Sequence, residues 1–228
     1  MPAILCVFAH PDDESFGPAG TIARYAARGV PVDLLTFTRG QQGARPEPIN
    51  SPDALGVLRE YELRAAVRVL SIRQLQLLDY EDGQLGQADP EELAGHVLRQ
   101  LAESKADTII TFGPLGITRH GDHIAAHHAA LDAAESAAGP VRVFYQAIES
   151  EMAKEFDMDL SGPETEPTHR IDVAGFAETK LAALACHSSQ QDAREFFMML
   201  LERRPTEELF HQARPPVDGD SPRDDLLV

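Results

Sequence analysis

The chain has 228 residues, of which 43% are hydrophobic, so it can form one large domain with a buried core, and a wholly disordered chain is excluded. Asp and Glu number 37 against 20 Lys and Arg, which gives a formal net charge of −17 at pH 7. Because this excess of negative charge repels a phosphate backbone, nucleic acid is not expected as a partner.

We expect neither a membrane span nor a signal peptide. The apolar runs are far shorter than the roughly 20 residues that a membrane-spanning helix needs. Met1 and Pro2 precede the first apolar run without the basic residues of a signal peptide. Cys6 and Cys186 lie in apolar patterns typical of buried free thiols rather than of a disulfide framework. These features together favour a reduced cytoplasmic protein.

Strands and helices alternate through the first two thirds of the chain. In chain order the pattern predicts a strand over residues 3–9, a helix over 18–28, a strand over 32–37, a long loop over 38–53, a helix over 54–70, a strand over 74–78, a helix from residue 89, a strand over 108–112, a helix over 122–138 and a strand over 141–148. The strand segments are apolar runs, typical of strands buried on both faces. This alternation predicts βαβ units and a mainly parallel sheet, in a Rossmann-like three-layer α/β sandwich.

After residue 149 the pattern is less regular. It predicts a loop over residues 161–168, a short strand over 171–173, and helices over 174–187 and 193–203. The last residues are rich in Pro, Asp and Gly, which is typical of a mobile terminus. We therefore predict a single domain over residues 1–213 and a flexible acidic tail over residues 214–228.

Polar residues cluster directly after the first predicted strand, where residues 10–14 are His-Pro-Asp-Asp-Glu. In open α/β sheets, ligands bind at the carboxyl ends of the strands. Adjacent carboxylates repel one another, and a bound cation would relieve that repulsion. The alternative is a solvated acidic turn before a helix, where acidic side chains are favourable without any ligand.

A second cluster follows the strand predicted over residues 108–112. Residues 120–123 are His-Gly-Asp-His, and His127 and His128 follow. In the usual doubly wound strand order 3-2-1-4-5, the first and fourth strands are neighbours. The two clusters are therefore expected to meet in one crevice at the edge of the sheet.

The two clusters together contain the ligands of a catalytic zinc site. Such a site takes three protein ligands, and His10, one residue of the Asp12 and Asp13 pair, and His123 provide that set. Zinc lowers the pKa of bound water from about 15.7 to about 7. The other aspartate can then act on this water as the general base.

His120 and Asp122 complete the predicted chemistry. A protonated His120 can stabilise the oxyanion that forms during amide hydrolysis and can donate a proton to the leaving nitrogen. Asp122 can hold the ring of His120 in orientation and favour its charged form, as in other carboxylate–imidazole pairs.

The paired motifs at residues 10–14 and 120–123 resemble those of the LmbE-like (PIG-L) de-N-acetylases. The resemblance extends from about residue 3 to residue 190. Members of this family are zinc-dependent hydrolases that remove an acetyl group from N-acetylglucosaminyl compounds. The resemblance implies an enzyme that hydrolyses a linear amide C–N bond in a small-molecule N-acetyl sugar conjugate, with Zn²⁺ as cofactor. The same ligands also suit Fe²⁺.

The resemblance assigns roles to individual residues. The metal ligands that it implies are His10, Asp13 and His123. The catalytic residues that it implies are Asp12 as the general base, His120 as the electrophilic and acid group, and Asp122 as the orienting partner of His120. The substrate contacts that it implies are Arg64 and Asp82.

The second motif departs from the common family pattern. Gly121 stands in place of a Pro, and Arg119 in place of a Gly. Thr118 stands where some members have a Tyr that helps to bind the oxyanion. We hypothesise that Arg119 adds positive charge at the pocket mouth, which would suit an anionic substrate.

The sequence does not exclude two other functions. A nucleotide-binding α/β module would use the same crevice, although Gly-x-Gly-x-x-Gly is absent and the acidic turn would repel a pyrophosphate. A catalytically inactive homologue would keep the fold and the metal, although Asp12 and His120 are both present. The sequence also leaves open whether the chain forms a homo-oligomer.

Overall fold

The computed structural model describes residues 2–204, 206–217 and 223–227. These residues form a mixed sheet of seven strands in the order β3-β2-β1-β4-β5-β7-β6. The strands are β1 (Ile4–Phe8), β2 (Val32–Thr38), β3 (Gln74–Tyr80), β4 (Thr108–Thr111), β5 (Arg142–Ala147), β6 (His169–Asp172) and β7 (Glu207–Arg214). Strands β1 to β5 run parallel, and β7 pairs antiparallel with both β5 and β6. The mainly parallel sheet and the order 3-2-1-4-5 are confirmed.

Helices cover both faces of this sheet. The helices in the described ranges are α1 (Asp13–Phe16), α2 (Ala19–Ala27), α3 (Pro52–Val69), α4 (Pro90–Ser104), α5 (Gly116–Arg119), α6 (Gly121–Ser136), α7 (Ser150–Glu155), α8 (Ala177–Cys186) and α9 (Gln191–Arg203). Helix α4 packs against α6, whereas α2 and α3 pack against α8. Right-handed crossovers that move in opposite directions along a sheet place their helices on opposite faces. The three-layer α/β sandwich is therefore confirmed.

None of the helices just described combines the length and the apolar character that crossing a membrane would require.

The pairing of β1 with β4 decides where the site lies. Both strands are buried along their whole length, as their apolar sequences predict. In the parallel register, Ile4 lies opposite Thr108 and Cys6 opposite Ile110. The carboxyl ends of the two strands are therefore side by side. The residues that follow Phe8 and Thr111 meet at this edge of the sheet.

Strand β7 is an element that the sequence pattern missed, and it inserts between β5 and β6. Leu209 and Phe210 are buried, but polar residues flank them on both sides. Glu208 is also buried, because it forms an ion pair with Lys180. Burial along β7 therefore does not follow hydrophobicity. Pairing with two strands that lie far away in the chain determines its conformation.

The structure departs from the predicted flexible tail. Residues 218–222 and 228 lie outside the described residues, and residues 207–214 belong to β7. Residues 223–227 are packed, since Leu226 is fully buried and its backbone N–H donates a hydrogen bond to the hydroxyl of Tyr25. The same hydroxyl donates to Asp225. This Pro- and Asp-rich segment therefore contains one apolar residue, Leu226, whose burial packs the segment against the rest of the fold.

We expect Leu226→Ala to lower the free energy of unfolding by about 2–3 kcal/mol, because it removes a fully buried side chain and leaves a cavity. Urea denaturation followed by circular dichroism measures the change. Asp224→Ala alters an exposed position of the same segment and is the control, with an expected change below about 0.5 kcal/mol. Equal stability of Leu226→Ala and the wild type would show that the segment is not anchored.

Candidate metal centre and active-site pocket

The first polar cluster lies on a strained turn between β1 and α1. Asp12 has φ = 112°, in the left-handed region that residues other than glycine seldom adopt. Its backbone N–H donates a 3.1 Å hydrogen bond to Glu14 Oε2. Glu14 Oε1 in turn lies 2.7 Å from His187 Nε2, and both side chains are fully buried. A residue far along the chain therefore holds this turn in place.

The second cluster lies at the start of α6. His120 precedes the helix, and its Nδ1 accepts a 3.2 Å hydrogen bond from the backbone N–H of Asp122. His123 Nδ1 lies 2.9 Å from the carbonyl oxygen of Gly116, and the His123 ring stacks on Phe112 at 4.0 Å. Because a carbonyl oxygen can only accept, Nδ1 of His123 carries the proton and Nε2 keeps its lone pair.

Donor atoms from the two clusters converge as the sequence predicts. His10 Nδ1 lies 3.1 Å from His123 Nε2 and 3.7 Å from Asp13 Oδ2. His123 Nε2 lies 3.5 Å from Asp13 Oδ1. Ligands at about 2.0–2.1 Å from a tetrahedral zinc ion are about 3.4 Å from one another, so these separations fit one ion. The three side chains thus fit a divalent metal with imidazole and carboxylate ligands.

Two carboxylates hold the opposite side of the His10 ring. His10 Nε2 lies 3.0 Å from Asp82 Oδ1 and 3.3 Å from Asp122 Oδ2. The Asp122 carboxylate also accepts hydrogen bonds from the backbone N–H groups of Gly83 and Leu85. Such contacts place the proton on Nε2 and leave Nδ1 free for a metal. The side chains of His10, Asp82 and Asp122 also have the spacing of metal ligands. Their facing atoms, however, already contact one another across His10 Nε2.

This geometry gives Asp122 and Asp82 contacts with His10 that the sequence did not predict. Asp122 orients His10 rather than His120, because its carboxylate faces His10 and only its backbone N–H contacts His120. Asp82 lines the pocket, but its oxygens contact His10 and the backbone N–H of Gln42. The structure therefore gives Asp82 a contact with His10, the predicted metal ligand, and the predicted substrate contact stays a prediction.

Burial and charge shift the pKa values of these groups. Burial lowers the pKa of His10, but hydrogen bonds with Asp122 and Asp82 outweigh it and raise the pKa to about 10. Burial and the charge of His10 lower the pKa of His123 to about 3. Burial raises the pKa of Asp82, but the hydrogen bond and charge of His10 outweigh it and lower the pKa to about 2. The cluster therefore favours one positive charge at its centre, which a proton or a metal ion can provide.

Arg59 on α3 is a site residue that the sequence did not single out. Its guanidinium donates a 2.8 Å hydrogen bond to Asp12 Oδ2 and another to the carbonyl oxygen of Gly40, and its side chain is only 4% exposed. Burial raises the pKa of Asp12 to about 7, although the charge of Arg59 opposes that rise. The spacing of Arg59 in the sequence could have predicted its burial. It lies four residues from both Leu55 and Leu63, which are on the buried face of the helix.

Arg64 lies away from this cluster, in contrast to the predicted substrate contact. It follows Arg59 by five residues, which places it about 140° around the helix. Its guanidinium is exposed and forms hydrogen bonds with Glu60 at 2.8 and 2.9 Å. Arg119 also differs from its predicted role, since its Nη2 pairs with Asp159 Oδ2 at 3.0 Å. The hypothesis of a free positive charge at the pocket mouth is therefore not supported.

A cavity with an empty volume of about 830 Å³, part of it open to solvent, gives access to the cluster. The predicted site residues that line it are His10, Asp12, Asp13, Asp82, His120 and His123, and Arg59 joins them. His127 has a structural contact instead, since it is buried with Nδ1 3.0 Å from the carbonyl oxygen of Phe112. The structure thus brings together every predicted site residue except Arg64.

Comparison with known proteins gives a family match. A family model described as GlcNAc-PI de-N-acetylase (PIG-L) matches residues 5–134, which include both motifs. The 1D-myo-inositol 2-acetamido-2-deoxy-α-D-glucopyranoside deacetylase of Streptomyces avermitilis is 32% identical over 82% of this chain and 82% of its own length. The probable N-acetyl-α-D-glucosaminyl L-malate deacetylase 2 of Bacillus anthracis is 31% identical over 82% of this chain and 80% of its own length.

A solved structure of different activity shares the fold. The crystal structure of GalB, the 4-carboxy-2-hydroxymuconate hydratase of Pseudomonas putida, matches with a TM-score of 0.77 over 97% of this chain and 100% of that chain. The two sequences are only 17% identical, so this likeness shows the fold alone. A shared fold does not imply a shared reaction, and function has to be argued from the site.

We expect the purified chain to bind one zinc ion, and His123→Ala to weaken zinc binding by more than about 100-fold, because it removes one of three ligands. Elemental analysis after dialysis, together with calorimetric titration of Zn²⁺, measures the change. His128→Ala is the control, since it removes an exposed imidazole from the same helix. Equal zinc content in His123→Ala and the wild type would contradict the ligand assignment.

Asp122→Asn should weaken zinc binding by about 10–100-fold, because the amide no longer holds His10 as a carboxylate does. The same calorimetric titration measures the effect. Asp132→Asn changes an exposed carboxylate on the same helix and should leave zinc affinity unaltered. If both variants bind zinc like the wild type, Asp122 does not support the metal site.

Proposed function

Because the chain belongs to the PIG-L family of GlcNAc-PI de-N-acetylases, we propose that it is a metal-dependent enzyme that removes the acetyl group from an N-acetylglucosamine-type substrate. The reaction consumes one water molecule and breaks the amide C–N bond, which yields acetate and a free amine. The observation that carries this proposal is the convergence of His10, Asp13 and His123 beside Asp12 in an accessible cavity. The carboxylates of that cavity argue against the alternative of a nucleotide module.

We propose Zn²⁺ as the metal, held by His10 Nδ1, His123 Nε2 and the Asp13 carboxylate; these donors also suit Fe²⁺. When bound, zinc acts as a Lewis acid on the amide carbonyl and lowers the pKa of water. Asp82 and Asp122 engage the Nε2 side of His10 and so keep Nδ1 directed toward the metal.

Asp12 is the proposed general base. Its Oδ2 accepts the hydrogen bond from Arg59, and Oδ1 is left to take a proton from water. The pKa of Asp12, which burial raises to about 7, suits a base that accepts a proton near neutral pH. The second hydrogen bond of Arg59, to the carbonyl oxygen of Gly40, fixes the guanidinium and with it the carboxylate.

His120 is the proposed acid and electrophile. Its Nδ1 accepts the backbone N–H of Asp122, so the proton of the neutral ring is on Nε2. The ring centroid lies 4.8 Å from that of His10 and 5.1 Å from that of His123, which places His120 beside the metal ligands. An Nε2–H group at this place can stabilise negative charge on the amide oxygen. In its protonated form the ring can donate a proton to the leaving nitrogen and so return to neutral imidazole.

The acetylated glucosamine is the part of the substrate that the two relatives share. By their names, the Streptomyces enzyme acts on an inositol conjugate and the Bacillus enzyme on a malate conjugate. We therefore propose an acetamido sugar as the group that meets the metal centre. The aglycone, meaning the group attached to that sugar, differs between the relatives. We therefore expect other parts of the chain to bind it.

Asp12→Asn should retain zinc and lower the rate of acetate release by at least about 100-fold, because it removes the general base without removing a ligand. Acetate release is measured on a panel of N-acetylglucosaminides with zinc-loaded protein, and zinc content is measured by elemental analysis. Asp53→Asn alters an exposed carboxylate on α3 and is the control.

Near-wild-type turnover by Asp12→Asn would show that another group is the base. Absence of acetate release by zinc-loaded wild-type protein from every N-acetylglucosaminide of the panel would refute the proposed function itself.

A further inference from the structure

A second cavity adjoins the catalytic one. Its empty volume, part of it open to solvent, is about 820 Å³. The residues that line both cavities are Phe16, Gly17, Ile117, Thr118, Gln146 and Phe197. The two cavities are therefore adjacent along these residues.

The walls of the second cavity are mainly apolar. Helices α7 and α9 and strand β7 contribute Met152, Phe196, Leu200, Leu201 and Leu209. The rings of Phe16 and Phe197 stack with centroids 4.3 Å apart and with planes 10° apart, among the residues shared by the two cavities. Apolar lining with a few polar groups is the usual character of a small-molecule site.

The cations in this lining are already paired. Lys180 Nζ donates a 2.5 Å hydrogen bond to Glu208 Oε1. Two carboxylates, those of Glu207 and Glu149, neutralise the charge of Arg204, whose buried Nε has no hydrogen-bond partner among the described residues. A carboxylate or phosphate on the ligand would therefore find no unpaired cationic charge among the described lining residues. Such a ligand would be disfavoured, because burial of an unpaired charge is strongly unfavourable. The second cavity thus favours a neutral occupant.

Gln146 provides one unused polar group among the shared residues. Its side chain lies against Gly17, where a Cβ atom would come within 2.1 Å of Gln146 Oε1. Gln146 Nε2 is buried and has no hydrogen-bond partner among the described residues. A buried donor without an acceptor is destabilising, so an oxygen atom near the linkage between sugar and aglycone would satisfy it.

We propose that the substrate carries a neutral, apolar aglycone, an alkyl or aryl group, which occupies the second cavity while the acetamido sugar meets the metal centre. This inference rests on the proposed de-N-acetylase function. It separates this chain from the polar inositol and anionic malate conjugates for which the two relatives are named.

The test uses the zinc-loaded full chain with four glycosides of N-acetylglucosamine, whose aglycones are methyl, hexyl, 5-carboxypentyl and inositol. The 5-carboxypentyl group has the reach of hexyl but ends in a carboxylate. Each buried methylene favours binding by roughly fourfold, so we expect kcat/KM to be at least about 30-fold higher for hexyl than for methyl. A hexyl glycoside no better than methyl, or poorer than the 5-carboxypentyl or inositol glycoside, would overturn the inference.

Two substitutions on α9 form a matched pair for the same test. Leu200 lines the second cavity, whereas Met199 is 50% exposed and lies outside its lining. Leu200→Gln should lower the hexyl-to-methyl ratio of kcat/KM by at least about fivefold, and Met199→Gln should leave that ratio within about twofold of the wild type. An unchanged ratio in Leu200→Gln would overturn the placement of the aglycone.

Calorimetric binding of the two amine products, hexyl and methyl glucosaminide, separates this inference from the proposed function. Acetate release together with equal affinity for the two products refutes the apolar aglycone alone. Tighter binding of the hexyl product, without acetate release from any of the glycosides, supports the apolar occupant and refutes the proposed function.

Discussion

The site depends on one electrostatic constraint, namely that several buried carboxylates face a single imidazole. Asp13, Asp82 and Asp122 each have a carboxylate oxygen within 3.7 Å of a ring nitrogen of His10. Burial of unpaired charges is destabilising by several kcal/mol for each ion, so these groups need positive charge among them. The pairing of β1 with β4 brings them together, and a divalent cation would relieve their repulsion. Binding of the proposed metal at this edge of the sheet would therefore also stabilise the fold.

The C-terminal third of the chain holds the turn that carries Asp12, the proposed general base. His187 binds Glu14 in a fully buried pair, and Glu14 accepts the backbone N–H of the strained residue Asp12. The next residues bind α3, since Ser188 and Ser189 donate hydrogen bonds to Glu62. The connection between α8 and α9 thus ties α3, which carries Arg59, to the turn that carries the proposed base.

The proposed catalytic residues and the proposed aglycone cavity lie in different parts of the chain. The family match covers residues 5–134, which contain all of the proposed metal ligands and catalytic residues. The second cavity is formed largely by residues 146–210, beyond that match. The relatives likewise share an acetylated glucosamine and differ in the attached group. A shared reaction centre with a separate cavity for the aglycone would give a physical basis for that difference.

The sequence by itself determined strands β1 to β5, their order, and the meeting of His10 and His123 with the Asp12 and Asp13 pair. Buried parallel strands have continuous apolar sequences, and right-handed crossovers restrict their arrangement. The tertiary structure alone decided the place of β7, the burial of Leu226, and the partners of Asp122, Arg59 and Arg64. Each of these depends on residues that are distant in the chain or on the exact face of a helix. Hydrophobic periodicity indicates which face of a regular strand or helix is buried, but it does not specify which distant group each polar side chain contacts.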